Sequence, residues 1–361
     1  MTVNKKNTLE LLTFLAGLTF FCASLELLVP KFVPFFRLGL ANAVLLIATT
    51  LLDIKLFCLL LLLKVLGQAV ISGTLFSYVF VFSFAGTFAS GILSYGLAHI
   101  MHNKISFIGI SCAGAFASNA VQLLLAYFFV FGKATLVFAP PVLLIGLLTS
   151  IPLGVFVLVF TESSEWYKSF FLLVADSIED AEKTEMKAEN FSSEKKSAQN
   201  QIAATTSHKK KFIAKLIVTL ILFSGMIITR EGFVTVTVFF LSVLLCAVSK
   251  IKVNVRNFFI FSFSVLLAHI FQVDGKLLFE IFKIKITSGA LLAGLQKIAF
   301  FQSMLFFSKW ISATPVAFSG RFGFLLSKSF ENFHLLLSNT ALFDKKNVLK
   351  SLDMILLRCS F

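Results

Sequence analysis

The chain has 361 residues, of which 58% are hydrophobic and only 14% charged, with a mean hydropathy of +0.92. A soluble domain is about 45–50% apolar and about 25% charged, so a water-soluble fold is excluded. The net charge of +14 would suggest nucleic acid in a soluble protein. In a membrane protein its ordinary cause is Lys and Arg in cytoplasmic loops, and no nucleic-acid partner is expected.

Apolar runs recur at about 9–29, 38–52, 55–71, 77–98, 106–131 and 137–160. Crossing a bilayer takes about 20 apolar residues, and lipid forces the backbone into helices or a closed barrel. The runs are continuous rather than alternating, which removes the barrel signature. The expected fold class is all-α: a polytopic helical membrane protein with a six-helix N-terminal bundle.

At the start, Lys5 and Lys6 precede "LLTFLAGLTFF", which mimics the basic and apolar regions of a signal peptide. No clear small-x-small cleavage site follows, so an uncleaved first helix is expected. Next, Glu26, Lys31 and Arg37 flank the loop between the first two runs, with Pro30 and Pro34 inside it. Two readings stand. These charges snorkel at the interface, or they hold an anionic or polar solute in an outward pocket. Asn42, deeper in the next run, favours a pocket slightly, because a buried amide wants a partner.

Lys64 interrupts the third run in "LLLLLKVLGQ". An ionisable residue inside a span marks function unless it snorkels, and the sequence does not choose. In "SGTLFSYVFVFSFAGTFASG" (72–91), Ala85 with Ala89 and Gly86 with Ser90 form small-xxx-small pairs. "GISCAGAFASNAVQL" (109–123) repeats the pattern with Gly109, Ala113 and Ala117, then adds Asn119 and Gln122. Small faces let helices approach closely in lipid. They serve internal packing or the docking of a partner subunit, with Asn119 and Gln122 facing a solute in the second case.

From Thr161 to Lys211 the texture turns charged and rich in Ser and Gln, through "DSIEDAEKTEMKAENFSSEKKSAQNQ" to "SHKKK". Such a segment cannot bury enough apolar surface to fold alone, so 161–211 reads as a cytoplasmic linker. Its first part, "WYKSFFLLVADSIEDAEK", suits a short amphipathic helix on the membrane surface. Apolar runs resume at about 212–229, 232–249 and 257–273, giving a second membrane region over 212–361. The run 290–313 contains Lys297, Gln302 and Lys309 and is ambiguous as a span. Beyond 316 the apolar pieces are short and broken by charge, as in interfacial helices.

The distribution of Lys and Arg places the N-terminus and the linker inside a multi-pass protein of the cell inner (cytoplasmic) membrane. Five cysteines are scattered singly, and no Cys/His cluster occurs, so neither a disulfide framework nor a metal site is expected. No DDxxD motif and no G-x-x-x-x-G-K-[ST] loop is present. Diphosphate chemistry needs acidic ligands for magnesium, and ATP needs a phosphate cradle. No catalytic residue is assigned and no cofactor is expected to bind directly; any ATP would act through partner subunits.

"RLGLAN", "GTLFS", "FAGTFAS" and "GISCAGAFASNAVQL" follow one another in register. With them, about 20–160 resembles the family labelled heptaprenyl diphosphate synthase component I, also called the Gx transporter family. Where that family commonly has His before the Asn of the last motif, this chain has Ser118. The family is similar in architecture to the substrate-binding S components of energy-coupling factor transporters. That resemblance implies capture of a small flavin-, vitamin- or isoprenoid-like solute and coupling to ATPase subunits. Arg37 would gate the pocket, Glu26 flank it and Asn42 line it, with Asn119 and Gln122 as further candidates.

The synthase label implies instead an accessory subunit beside a prenyltransferase catalytic partner. A third possibility is a scaffold for membrane flavin or quinone redox proteins. The second half, through "GKLLFEIFKIKITSGALLAGLQKI" (275–298) and "SATP" (312–315), resembles a T component more distantly. The Ala-Arg-Gly coupling motifs of T components are not visible in it.

Overall fold

A computed structural model describes residues 2–28, 39–101, 104–169, 202–229, 232–251, 255–270, 276–281, 284–314, 320–340 and 348–360. Six helices span the N-terminal part: α1 (Thr2–Leu28), α2 (Leu40–Leu51), α3 (Ile54–Ser72), α4 (Tyr78–Ile100), α5 (Phe107–Leu125) and α6 (Thr135–Ser163). They match the six apolar runs to within a few residues at most ends, and the fold is helical as expected. Helices α5 and α6 are joined by a π turn, Ala126–Phe131, and a single 3-10 turn, Gly132–Ala134.

The bundle has two ends. The near end holds the α2–α3 turn, the α4–α5 turn and the close of α6 at Ser163. The far end holds the close of α1 at Glu26, the start of α2 at Gly39, the α3–α4 turn (73–77) and the π turn.

Lipid tails are as apolar as Leu, so these helices associate through close packing and interhelical hydrogen bonds. Glycine supplies the close approach. A Cβ on Gly154 of α6 would lie 2.5 Å from the Ile108 Cα of α5, and one on Gly114 would meet Ser94 Oγ of α4 at 2.5 Å. On α4, Gly91 receives the Leu61 side chain of α3. Ser111 Oγ donates to the Ser150 carbonyl at 2.9 Å, tying α5 to α6.

The second region contains α7 (Ile202–Thr229), α8 (Gly232–Val248) and α9 (Val255–Ile270), then a two-stranded antiparallel hairpin, β1 (Leu277–Ile281) and β2 (Ile284–Thr287). The hairpin is a departure from a purely helical chain, and it occupies the Phe/Ile-rich segment before α10 (Ser288–Ser312). The polar residues that made 290–313 ambiguous have partners. Lys297 Nζ donates to the Val130 carbonyl at 3.0 Å, and Gln302 Nε2 to the Phe258 carbonyl at 3.3 Å. Among the described residues, five helical stretches are long and apolar enough to cross a membrane, and Ser288–Ser312 is one of them. The protein is a multi-pass membrane protein.

Helix α10 runs across the far end of the six-helix bundle. Ser308 Oγ donates to the Gly73 carbonyl at 3.0 Å and accepts from the Phe76 amide at 3.1 Å. Phe301 meets Tyr78 with ring centroids 5.1 Å apart, and Lys297 reaches Val130 of the π turn. A rise of 1.5 Å per residue puts Lys297 and Ser308 about 16 Å apart along α10. Their partners all lie at one end of the bundle, so α10 crosses that end rather than lying alongside.

Two further helices bring the chain back. The residues of α11 (Gly320–Ser338) include charges, and Lys328 pairs with Glu331 at 3.0 Å on the exposed face. The opposite stripe, Gly323, Leu326, Ser329, Phe333 and Leu336, is buried. It packs on α1, where Phe20 meets Phe330 with centroids 5.2 Å apart and Asn332 Nδ2 donates to Thr13 Oγ1 at 3.5 Å. At the near end, α12 (Val348–Ser360) contributes Ile355 and Leu356 to the core that α1, α2 and α3 build.

Asp353 of α12 closes the near end by capping the helical turn 165–169. Its carboxylate accepts from Ser164 Oγ and from the amides of Glu165 and Trp166, both at 3.1 Å. A helix start leaves its first amides without intrahelical acceptors, and a carboxylate there also suits the helix dipole. Trp166 is thereby fixed in the core, fully buried between Phe14 and Phe160. Phe212 of α7 instead packs on Phe76 at the far end. The two described flanks of the linker therefore sit at opposite ends of the bundle.

Candidate functional site

"GLAN" (39–42) forms the start of α2, and its glycine explains the local geometry. Gly39 has φ +74°, a left-handed conformation that costs an L side chain energy and glycine nothing. Its amide donates to Glu26 Oε1 of α1 at 2.7 Å, and its carbonyl accepts from the Asn42 amide at 2.7 Å. A side chain here would also press on Asn42, whose Nδ2 lies 3.3 Å from the Cβ position. The carboxylate of α1 thus holds the first turn of α2.

Asn42 then reaches α3. Lys64 Nζ donates to Asn42 Oδ1 at 2.6 Å, and Lys64 is only 4% exposed. This is a short charge-assisted bond, and it joins α2 to α3 inside the bundle. The sequence left Lys64 undecided between a functional cation and a snorkelling one. In the structure its ammonium turns to Asn42 inside the bundle. Glu26, Gly39, Asn42 and Lys64 therefore form one polar connection through α1, α2 and α3.

One turn further along α3, towards the far end, a cavity of about 110 Å³ opens between α1, α3 and α4. Its polar lining is Ser24 and Glu26 of α1, Gln68 and Ser72 of α3, Thr74 of the turn and Ser83 of α4; Ala23, Val65, Ala69, Ile71, Val79 and Phe80 complete the wall. These hydroxyl, amide and carboxylate groups keep hydrogen-bonding capacity for an occupant beyond their bonds to the protein. Among the described residues, no group of three His, Cys, Asp or Glu could hold a metal ion.

The residues proposed from sequence divide between two places. Glu26 lines the cavity, and Asn42 lies one bond away through Gly39. Arg37, with Lys31, Pro30 and Pro34, lies outside the described residues. Asn119 and Gln122 sit in the α4–α5–α6 seams and are absent from the cavity's lining. Gln122 Nε2 donates to Ser118 Oγ at 3.0 Å and lies over Gly86, whose Cβ position it would meet at 2.4 Å. Asn119 lies over Gly146 of α6 in the same way, at 1.9 Å. Ser118 is itself 2.8 Å from the Gly86 Cβ position, which leaves no space for an imidazole without parting α4 from α5.

The small-residue face of α4 works at this seam. Gly86 receives Gln122, and Ser90 Oγ lies against Gly114 of α5. Ala85, Ala89 and Ala113 are half-buried. Gly109 is crowded by the Ile105 side chain, one turn earlier in its own chain. Ser24, Gln68, Ser72, Thr74 and Ser83 were not singled out from sequence. For Ser72 and Thr74 the one signal is the polar run "ISGTLFS" (71–77) at the α3–α4 turn.

Residues 15–160 match the family described as heptaprenyl diphosphate synthase component I. Over these residues the chain is similar to that family. The family domain contains the whole Glu26–Gly39–Asn42–Lys64 connection and every residue named for the cavity. Residues 211–314 match a second family, described as a domain of unknown function, which takes in α8, α9, the hairpin and α10. No curated protein and no solved structure matches the chain.

Proposed function

We propose that the family domain is the solute-binding subunit of an energy-coupling-factor-type transporter, which captures a small vitamin- or cofactor-like molecule in the α1–α3–α4 cavity. The observation that carries this reading is the cavity itself: a chamber with a largely apolar wall and six polar side chains, at one end of a membrane bundle, lined from three helices. Solute entering there exchanges its water shell for fixed hydroxyl, amide and carboxylate partners. The Lys64–Asn42 bond holds α2 and α3 together behind that wall, so the groups stay in place while the solute comes and goes.

The second region takes the coupling role in this proposal. Helix α10 crosses the far end and grips the α3–α4 turn through Ser308, so movement of α10 reaches Thr74 of the cavity wall directly. ATP would be hydrolysed by separate ATPase subunits, since this chain has no phosphate loop.

The matched family's description favours a second reading, an accessory membrane subunit of heptaprenyl diphosphate synthase. Purification of tagged protein from its own membranes in mild detergent separates the two. ATPase subunits with a bound small molecule are expected. A soluble prenyltransferase carrying polyprenyl diphosphate, without ATPases, would establish the second reading instead.

A further inference from the structure

Three hydroxyl groups of the cavity wall are not free to point either way. Ser24 Oγ donates to the Phe20 carbonyl at 2.9 Å, and Ser72 Oγ to the Gln68 carbonyl at 2.8 Å. Ser72 and Thr74 are 2.7 Å apart. With the Ser72 hydrogen on Gln68, Thr74 is the donor in that bond. A hydroxyl has one hydrogen and two lone pairs. All three hydrogens are spent on the protein, so these three hydroxyls offer an occupant acceptor capacity, while Ser83 and the Gln68 amide can also donate. Glu26, the charged member of the described lining, adds a carboxylate, which only accepts. Its Oε1 already serves Gly39, and the rest of the group is available. Lys64, next to Val65 of the wall, directs its ammonium at Asn42.

We infer that the α1–α3–α4 cavity selects a compact, donor-rich organic cation, an ammonium or guanidinium compound whose charged end is received by Glu26. The inference rests on the proposed solute-binding role and names the chemical class of that solute. Size follows from volume. One water-sized position needs about 10–15 Å³, so about 110 Å³ accommodates roughly seven to eleven such positions. A small amine fits.

The test uses full-length protein in lipid nanodiscs and reads the thermal unfolding midpoint by intrinsic fluorescence. Ethanolamine, putrescine and guanidinium chloride form one panel; sodium acetate, propionate and glycerol phosphate, at matched ionic strength, form the other. At least one amine should raise the midpoint in a saturable way. Glu26→Gln, which keeps an oxygen for the Gly39 amide, should weaken that amine by roughly tenfold or more, as loss of a charge-assisted contact predicts. Thr74→Val should weaken it less.

Saturable binding of the anions but not the amines, or an amine response unchanged in Glu26→Gln, would overturn the cation assignment. Native mass spectrometry of the same preparation keeps the two levels apart. An acidic small molecule found bound would leave solute capture standing and remove the cation. No bound molecule, with no response to either panel, would remove solute capture and the cation assignment with it.

Discussion

Lys64 Nζ lies 2.6 Å from Asn42 Oδ1, a bond between α3 and α2 inside the membrane bundle. A hydrogen bond to a charged group contributes about 1.5–3 kcal/mol, and stranding one partner in a buried site costs a similar amount. Asn42→Leu should therefore lower the unfolding midpoint in nanodiscs, because it removes the Asn42 acceptor from the buried ammonium. Lys64→Met should cost less. The double variant Lys64→Met/Asn42→Leu should be more stable than the sum of the single losses implies, as coupled residues are. Strict additivity in that cycle would mean the two side chains do not interact.

Asp353 makes a second long-range tie, since it accepts from Ser164 at a helical turn 189 residues earlier. Loss of an N-cap costs about 1 kcal/mol, within a range of 0.5–2. Asp353→Ala should raise amide hydrogen exchange at Glu165 and Trp166 and leave α3 and α4 unchanged. Exchange at 165–169 equal to that of the unaltered protein would remove the cap from the account.

Two glycines of the bundle make a matched comparison. A Cβ at Gly154 meets the backbone of Ile108 at 2.5 Å, whereas one at Gly96 has nothing within 4 Å. Gly154→Ala should destabilise by about 1–3 kcal/mol, the usual cost of overpacking. Gly96→Ala should be neutral or stabilising by up to about 1 kcal/mol, because Ala is the better helix former. Equal effects at both sites would contradict the α5–α6 packing.

Ser308 links the two membrane regions through Gly73 and Phe76. Ser308→Val should leave each region folded and free the α3–α4 turn. Cysteines introduced at Thr74 and Ser312 should then form a disulfide more slowly than in the Ser308 background. An unchanged rate would show that Ser308 does not set the contact.

Much of this architecture is written in the chain, because bilayer thickness imposes its length on every span. The six N-terminal helices follow from apolar runs alone, and α7 to α10 nearly so. Helix α11 escaped that reading. Arg321, Lys328, Glu331 and His334 break its hydropathy, and only the helical spacing of Gly323, Leu326, Phe333 and Leu336 reveals a face fit for α1. The hairpin was hidden because "LLFEIFKIKIT" is apolar on alternate and adjacent positions alike.

The candidate site was legible in pieces. Glu26, Asn42 and Lys64 stand out as polar residues in apolar surroundings, but nothing local pairs Asn42 with a lysine 22 positions later. The cavity wall was harder to find, since Ser24, Ser72 and Ser83 look like the small residues that pack helices everywhere in this chain. Asn119 and Gln122 show the converse. They read as candidate solute contacts, and in the structure they fill the space over Gly146 and Gly86.

The most direct test of solute capture between α1, α3 and α4 is native mass spectrometry of the protein released from its own membranes, beside Ser83→Phe. Ser83 lines the cavity from α4 and is half-buried, so a phenyl ring there occupies the chamber from its wall. A small-molecule adduct on the unaltered protein that is lost from Ser83→Phe, with the unfolding midpoint preserved, is the expected result. An adduct retained at the same occupancy in the variant would contradict a binding site in this cavity.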